Sequence, residues 1–429
     1  ILTEYNSKLF QFASGTNDYV LDVASLAEKI GLSNWHDQVS YNIAKVPFSP
    51  DYSDIYANNI VRIISAILGK TKKVLVLDLD NTIWGGEVGD VGINNIKIGN
   101  GDPEGEAFSA FQKTLLNLKN RGIILAVCSK NNEKIAKSAF KNRREMILQE
   151  KDFAIFKANW LDKPTNIKKI SEELNLGLDT FVFVDDNPVE RDIVRKHLPE
   201  VSVPELSKEV TNYSRDILVP GYFEIITYSK EDKKRSETYH SNIKRKELEK
   251  SSINLNGYLK SLNMKAKITP FKIENIDRIT QLILRTNQFN LTTKRYKKRE
   301  IEKIINNRKN YYTLQSNLED AFGDNGIVSL IIGKVKKNVL LIDTWVMSCR
   351  VFSRNLEYAI FKKLISDLNK LNIKNVIGEY FKTEKNNIVH ELYRELEFKK
   401  IGGTKSNSKW IFDVKSYTNN SKANLIKLY

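Results

Sequence analysis

Three short apolar runs constrain this chain more than any other feature: residues 73–78 (KVLVLD), 123–128 (IILAVC) and 180–184 (TFVFV). Each run is continuous rather than alternating, and each gives way at once to polar residues. Between them lie stretches with helical spacing, such as Phe111, Leu115 and Leu118 ahead of Gly122, and residues 167–174. A strand covered on both faces reads as an unbroken apolar run, and helices between such strands make the sheet parallel. Residues 71–205 are therefore expected to form an α/β domain with a Rossmann-like parallel sheet. Ligands of such sheets bind beyond the carboxyl ends of the strands. The residues just after the three runs are where chemistry is expected.

The 429 residues leave room for about three domains at roughly 150 residues each. Residues 1–70 read as mainly helical, with Ile60, Ile63, Ile64 and Ile67 on one stripe, and suggest the remnant of an upstream domain. Residues 206–260 read as a polar helical connection with a charge run at 230–235. Residues 261–415 change character. Strands are expected at 265–270, 311–315, 327–332, 339–347, 376–380, 398–401 and 410–414. Helices are expected at 276–285, 298–305, 356–368 and 387–396. Neighbouring strands without helices between them predict an α+β domain. Residues 416–429 are expected to be a tail.

Hydrophobic residues at 41% and charged residues at 28% give a globular balance and exclude a disordered or coiled-coil chain. Two cysteines, Cys128 and Cys349, cannot build a disulfide framework or a four-cysteine zinc site, and suggest a reducing, cytoplasmic setting. No run approaches the roughly 20 apolar residues of a membrane span, so no membrane partner is expected. The first residues lack a signal peptide's apolar core, and the absence of a starting Met suggests an excised piece.

Net charge is 68 − 52 = +16. Residues 1–220 hold 27 basic and 30 acidic side chains (−3), leaving 41 and 22 (+19) for 221–429. That asymmetry suggests an acidic partner for the second half. The lysines are scattered rather than clustered with aromatics, which argues against nucleic acid. His36, His197, His240 and His390 show no ligand spacing and read as structural or surface histidines.

Asp78-Leu79-Asp80-Asn81-Thr82 follows the first run. Alternation puts Asp78 and Asp80 on one side of the chain, where two carboxylates can share Mg²⁺, or one attack phosphorus while the other moves a proton. The second run ends at Cys128-Ser129-Lys130-Asn131, and a hydroxyl with helix-start amides can hold a phosphate. The third ends at Asp185-Asp186-Asn187-Pro188, adjacent acids that repel unless a cation joins them. Lys163 lies between these segments and can neutralise a phosphate. Each piece alone also reads as a cap or turn. Four in order, after successive strands, make a joint accident improbable.

This order, DLDNT, then CSK, the lysine, and VDDNP, resembles the HAD phosphatase/phosphotransferase superfamily. The resemblance implies Asp78 as aspartyl nucleophile and Asp80 as general acid/base. It implies Thr82, Ser129 and Lys163 as phosphate binders, and Asp78, Asp80, Asp185 and Asp186 around Mg²⁺. Residues 82–101 would be a small flap, with no large cap domain. DLDNTIWGGEVGDVG, PEGEAFSAFQ, LAVCSKNN, VFVDDNPVER, RTNQFNLTTKRY and TWVMSCRVFSRNLE together resemble the FkbH-like family over roughly 71–415. Asn142-Arg143-Arg144-Glu145-Met146 departs from that family's His-Pro-Glu-Met-like stretch.

What the resemblance implies is acyl loading. A three-carbon unit, glyceryl from 1,3-bisphosphoglycerate or a lactyl-type relative, would pass with dephosphorylation through an enzyme thioester onto an acyl carrier protein bearing phosphopantetheine, in polyketide-type biosynthesis. Cys128, beside Ser129, would be the thiol, although alternation turns the two side chains opposite ways. Cys349 is the rival. By the same resemblance residues 261–415 are GNAT-like. Asn287, Gln288, Asn290, Cys349 and Arg350 are candidates for a carrier-arm or secondary thiol site. The turn 350–355 lacks the glycines that let a backbone approach CoA's pyrophosphate. A plain Mg²⁺-dependent phosphatase acting on a small-molecule or nucleic-acid phosphate is the alternative, and a non-catalytic docking module the third reading.

Overall fold

The computed structural model describes residues 2–14, 18–225, 245, 248, 254–404 and 406–429. The first sheet has β1 (Val74–Leu77), β2 (Ile124–Ser129), β3 (Phe153–Ala158) and β4 (Phe181–Val184) in the order β3-β2-β1-β4, all parallel. Every residue of β1, β2 and β4 is buried, which is why those runs are unbroken. β3 is the strand the sequence analysis missed.

Alternation divides the sheet between two cores. Leu75, Leu77, Leu125 and Val127 face Phe111 and Leu115 of the helix Pro103–Asn120. Val74, Val76, Ala126 and Cys128 face Ile167 and Ile170 of the helix Lys163–Leu174, with Val194 of the helix Pro188–His197. Full burial of one such apolar side chain is worth about 1.5–3 kcal/mol, so the two layers fix which face each strand residue takes. The first helix starts where Asp102 accepts from the Gly105 amide, with Pro103 in the first turn.

Residues 206–225, expected as connection, belong to this domain: Tyr213, Ile217 and Phe223 are buried in its core. The remainder of that expected connection, with its charge run, lies outside the described residues up to Asn254, apart from Arg245 and Leu248. The N-terminal segment forms the helices Leu2–Ser14, Val23–Ile30, Leu32–Trp35, Gln38–Ala44 and Ser53–Ile67, of which Val23–Ile30 and Leu32–Trp35 share a small core of Leu26, Ala27 and Trp35.

The second sheet contains β5 (Lys265–Thr269), β6 (Phe289–Asn290), β7 (Tyr311–Asp320), β8 (Gly323–Lys336), β9 (Val339–Met347), β10 (Asn375–Phe381), β11 (Lys399–Gly403), β12 (Asn407–Asp413) and β13 (Lys427–Leu428). Its order is β11-β12-β10-β9-β8-β7-β5-β13. The pairs β9–β10 and β5–β13 are parallel and the others antiparallel. The helices Ile276–Arg285 and Lys298–Asn306 cover one face, and Leu356–Lys370 the other. The expected tail instead returns to the sheet, where Lys427 pairs with Lys265. The expected helix at 387–396 is only a 3₁₀ turn, Asn387–Val389, and a short helix, Leu392–Glu395.

β9 and β10 pair only from Val339–Asn375 to Ile342–Gly378, then part. β6 fills the opening. Phe289 and Asn290 pair with Met347 and Val346, Phe381 donates its amide to Leu291 O at 2.9 Å, and Asn386 Nδ2 donates to Asn290 O at 2.9 Å. The chain itself thus occupies the place a strand-like ligand would need. No helix among the described residues is long and apolar enough to cross a membrane.

Candidate active site

The carboxyl ends of β1, β2 and β4 open into a cleft of about 790 Å³ of empty space. Asp78, Asp80, Ser129, Lys163, Asp185 and Asp186 all line it, so most of the expected residues converge. Asp78 ends β1, and its amide donates to Val184 O at 2.9 Å, locking the β1 and β4 ends together. One carboxylate oxygen each of Asp78, Asp185 and Asp186 lie within 4.8 Å of one another.

Lys163 joins them. It opens the helix after β3, behind the Asp162 N-cap, and its side chain is 3% exposed. Nζ donates to Asp78 Oδ1 at 2.5 Å and to Cys128 O at 2.9 Å, and lies 3.0 Å from Asp185 Oδ2. Burial lowers this ammonium's pKa, but Asp78 and Asp185 outweigh it and raise the pKa overall. Burial, then the charge of Asp78, pushes Asp185 up to about 7 and Asp186 up to about 6.

The residues fit a divalent cation. Seven carboxylates line the cleft (Asp78, Asp80, Glu87, Asp90, Asp185, Asp186, Glu190) against two lysines, Lys130 and Lys163. Asp185 Oδ2 is buried with only the shared Lys163 ammonium beside it. A hard cation with oxygen ligands relieves both conditions. Such a cation is also what would let an anionic phosphate enter so acidic a cleft.

Three expectations need correction. Asp80 is not part of the three-acid cluster. Its Oδ1 accepts from Trp84 Nε1 at 2.8 Å and the Val88 amide at 3.1 Å, and its Oδ2 from Asn131 Nδ2 at 2.8 Å. Burial nevertheless raises its pKa, the setting of a proton donor rather than a metal ligand. Thr82 does not face the cleft: it is fully buried, and its hydroxyl bonds Asp186 Oδ1 at 3.2 Å and accepts the Asp186 amide at 3.1 Å. It positions Asp186 instead of touching phosphate.

Cys128 is the third. Its side chain is fully buried in the apolar layer opposite Ser129, and burial pushes its thiol up to about 12. A neutral thiol without access to solvent cannot act as the expected nucleophile.

Two positioning residues escaped the sequence analysis. Asn131 holds Asp80, and Arg191 Nη1 donates to the carbonyls of Asp185 at 2.8 Å and Asp186 at 2.7 Å. Both sat inside the quoted motifs. Their signal was an amide two residues past β2 and a guanidinium in the helix after β4, near strand ends that leave carbonyls and carboxylates needing donors. The small flap is present: Gly85 and Lys97 exchange backbone hydrogen bonds, the helix Val88–Val91 overhangs the cleft, and Trp160 at its rim is 77% exposed.

The second group of expected residues lies elsewhere. Asn287, Gln288, Cys349 and Arg350 line another cleft, between the two sheets' domains. Asn290 does not reach it. Fully buried in the β6 plug, it donates to Thr286 O at 3.2 Å and accepts the Thr293 amide at 2.8 Å. Of the histidines, His36, His197 and His390 contact Gln38, Ile193 O and Glu391, and His240 lies outside the described residues.

No family model matches the chain, and no curated protein does. Among solved structures it is similar to the N-terminal part of the protein BF1531 from Bacteroides fragilis, which contains a phosphatase domain and was crystallised with Mg. Identity is 43%, over 53% of this chain and 61% of that one, with a TM-score of 0.51. The chain thus spans about three fifths of that structure. It also matches the ribosomal-protein-S18-alanine N-acetyltransferase from Escherichia coli (14% identity, 36% of this chain, 97% of that one, TM-score 0.28). A third match is the PaiA N-acetyltransferase from Thermoplasma acidophilum, solved with coenzyme A (12%, 35% and 99%, TM-score 0.29).

Proposed function

We propose that this chain is a Mg²⁺-dependent phosphohydrolase whose cleft works through an aspartyl nucleophile, coupled to transfer of a small acyl unit. The observation that carries the first part is the cluster of Asp78, Asp185 and Asp186 bridged by Lys163 at the strand ends. The Mg in the 43%-identical relative supports the choice of ion. Asp78, Asp185 and Asp186 would hold Mg²⁺, which when bound supplies charge neutralisation for an incoming phosphate.

An Asp78 oxygen attacks phosphorus, forming an O–P bond as the bond to the leaving oxygen breaks. Asp80, protonated in its half-closed niche, gives that oxygen its proton. Asp80 then takes a proton from the water that cleaves the aspartyl phosphate. Ser129 Oγ and Lys163 Nζ hold the phosphoryl oxygens.

In its finer form the reading is the loading of a three-carbon acyl unit, glyceryl or lactyl-type, from a phosphorylated donor onto an acyl carrier protein. The motif series and the +19 second half, suited to an acidic carrier, support it. One observation favours a plain phosphatase instead: the burial of Cys128 leaves this cleft without a thiol. Phosphate release from an aryl phosphate and from 1,3-bisphosphoglycerate, each with Mg²⁺ and with or without a carrier protein, tests both forms. Asp78→Asn is expected to abolish release. Release that survives this substitution would sink the proposal, and release indifferent to carrier would leave the plain phosphatase.

A further inference from the structure

The mouth of the acidic cleft carries a side chain that the hydrolysis does not use. Trp160 lines it while 77% exposed, although tryptophan is on average a well-buried residue. A single exposed apolar side chain is ordinary on a protein surface. This one is held in place. The Asn159 amide donates to Ser129 O at 3.1 Å, so the loop starts from the end of β2. Asn159 Oδ1 then accepts the Leu161 amide at 3.0 Å and Asn166 Nδ2 at 2.9 Å, and Asn159 Nδ2 donates to Asn166 Oδ1 at 3.3 Å. Asn166 is buried, and Asp162 caps the helix that Lys163 opens. Bonds before and after Trp160 thus fix its backbone between Ser129 and Lys163 while the ring stays outside both cores. An unburied ring gives the fold little in return.

The flap adds charge to the same mouth. Glu87 and Asp90 line it, both are exposed, and neither has an ion pair among the described residues. The cleft's two lysines are already engaged, Lys130 by Glu190 and Lys163 by Asp78 and Asp185. Deeper in, Ser129 is 2% exposed and its hydroxyl has no hydrogen-bond partner among the described residues, which leaves it for a ligand's phosphate. A substrate seated with its phosphate inward has to bring its leaving group out through this mouth. A flat neutral group would satisfy the indole and leave the carboxylates unmatched, and an anionic group would be repelled. An organic cation satisfies both, because a tryptophan ring face and a carboxylate each attract it.

We propose that Trp160, Glu87 and Asp90 form a leaving-group subsite that selects phosphomonoesters ending in an organic cation, an ammonium or quaternary ammonium on a short stem. This rests on the phosphohydrolase part of the proposed function and adds its substrate class. The phosphate sits at the strand ends, and the cation lies over the indole with the flap carboxylates around it. The cationic end takes no part in the bonds that form and break, so the subsite acts on KM rather than on kcat.

Phosphocholine and its uncharged carbon isostere, 3,3-dimethylbutyl phosphate, test this, since they differ at that end by charge. With the full chain and Mg²⁺, kcat/KM is expected to favour phosphocholine roughly tenfold, the worth of a partly desolvated cation–π contact, with the difference in KM. The ratio should fall to about one in Trp160→Ala and by a smaller step in Glu87→Gln/Asp90→Asn, and it should shrink at high salt. These side chains are exposed, so the substitutions spare both cores. Binding is read apart from turnover with the phosphonate analogue of phosphocholine, whose C–P bond resists hydrolysis. It should quench the indole fluorescence of the parent and leave that of Trp160→Ala unchanged.

A ratio near one in the parent, or a preference that survives Trp160→Ala, overturns the inference. Equal turnover of both esters, abolished by Asp78→Asn, would remove the subsite and leave the phosphohydrolase standing. Analogue binding that requires Trp160, without turnover of either ester, would do the reverse.

Discussion

Lys163→Met probes the acidic cluster most directly. The lysine side chain is 3% exposed and touches Asp78 and Asp185, whose side chains are 12% and 1% exposed. Removing one partner of a buried ion pair costs about 3–5 kcal/mol, because the other charge stays buried. For a domain of this size each kcal/mol moves melting by about 2–4 °C, so a drop of roughly 6–20 °C is expected near neutral pH.

The pH dependence has a definite sign. Asp185 and Asp186 titrate at about 7 and about 6 in the fold, above their unfolded value of 3.8. An acid with a raised folded pKa contributes stability that is complete at low pH and is lost as pH rises through that pKa. Without the ammonium both values rise further, and each unit is worth about 1.4 kcal/mol. The variant should therefore fall short of the parent by more at pH 8 than at pH 5.5. Mg²⁺ at a hundred times its Kd should return about 2.7 kcal/mol. Thermal melts of parent and variant at pH 5.5, 7 and 8, with and without Mg²⁺, read all of this. An equal deficit at every pH, or no recovery with Mg²⁺, would refute the reasoning.

Other substitutions separate roles within the cleft. Thr82→Val frees Asp186 and should weaken Mg²⁺ affinity about 10–100-fold by calorimetry, as loss of an orienting partner does. Asn131→Ala removes a donor to the charged form of Asp80, which raises its pKa; the basic limb of the pH–rate profile should move to higher pH. Cys128→Ala should cost roughly 1–2 kcal/mol in a denaturant melt and retain the parent's aryl phosphate turnover. In the parent, apparent Mg²⁺ affinity should weaken as pH falls from about 7 to about 6, where Asp185 and then Asp186 regain protons.

The strands β1, β2 and β4 could be read in the sequence because burial on both faces leaves no polar residue inside them. β3 could not, for its Phe156 and Lys157 are only partly buried and the lysine interrupts the apolar run. The cleft's acids were legible because they follow their strands directly. Facing was harder. Alternation already warned that Cys128 and Ser129 part company, and it proved the stronger guide than adjacency to the site. Thr82 and Asp80 failed for a different reason: each turned toward a neighbour, Asp186 or Asn131, that lies far away in the chain. Pairings across 104 or 51 residues leave no local pattern to read.

The seam between the domains has a mechanical meaning. Around the cleft there it is fastened by polar contacts: Asn287 Nδ2 to Gly69 O at 3.5 Å, Asn175 Nδ2 to Cys349 O at 3.3 Å, Lys73 Nζ to Arg285 O at 3.4 Å, and the ion pair of Lys385 with Asp179. Each is long or solvent-reachable, and such contacts are worth little individually. Prising this seam apart therefore takes far less work than disturbing either sheet. Anything that spans it, a bound anion or a tethered acyl chain, acts as a fastener, and its departure lets the two halves breathe.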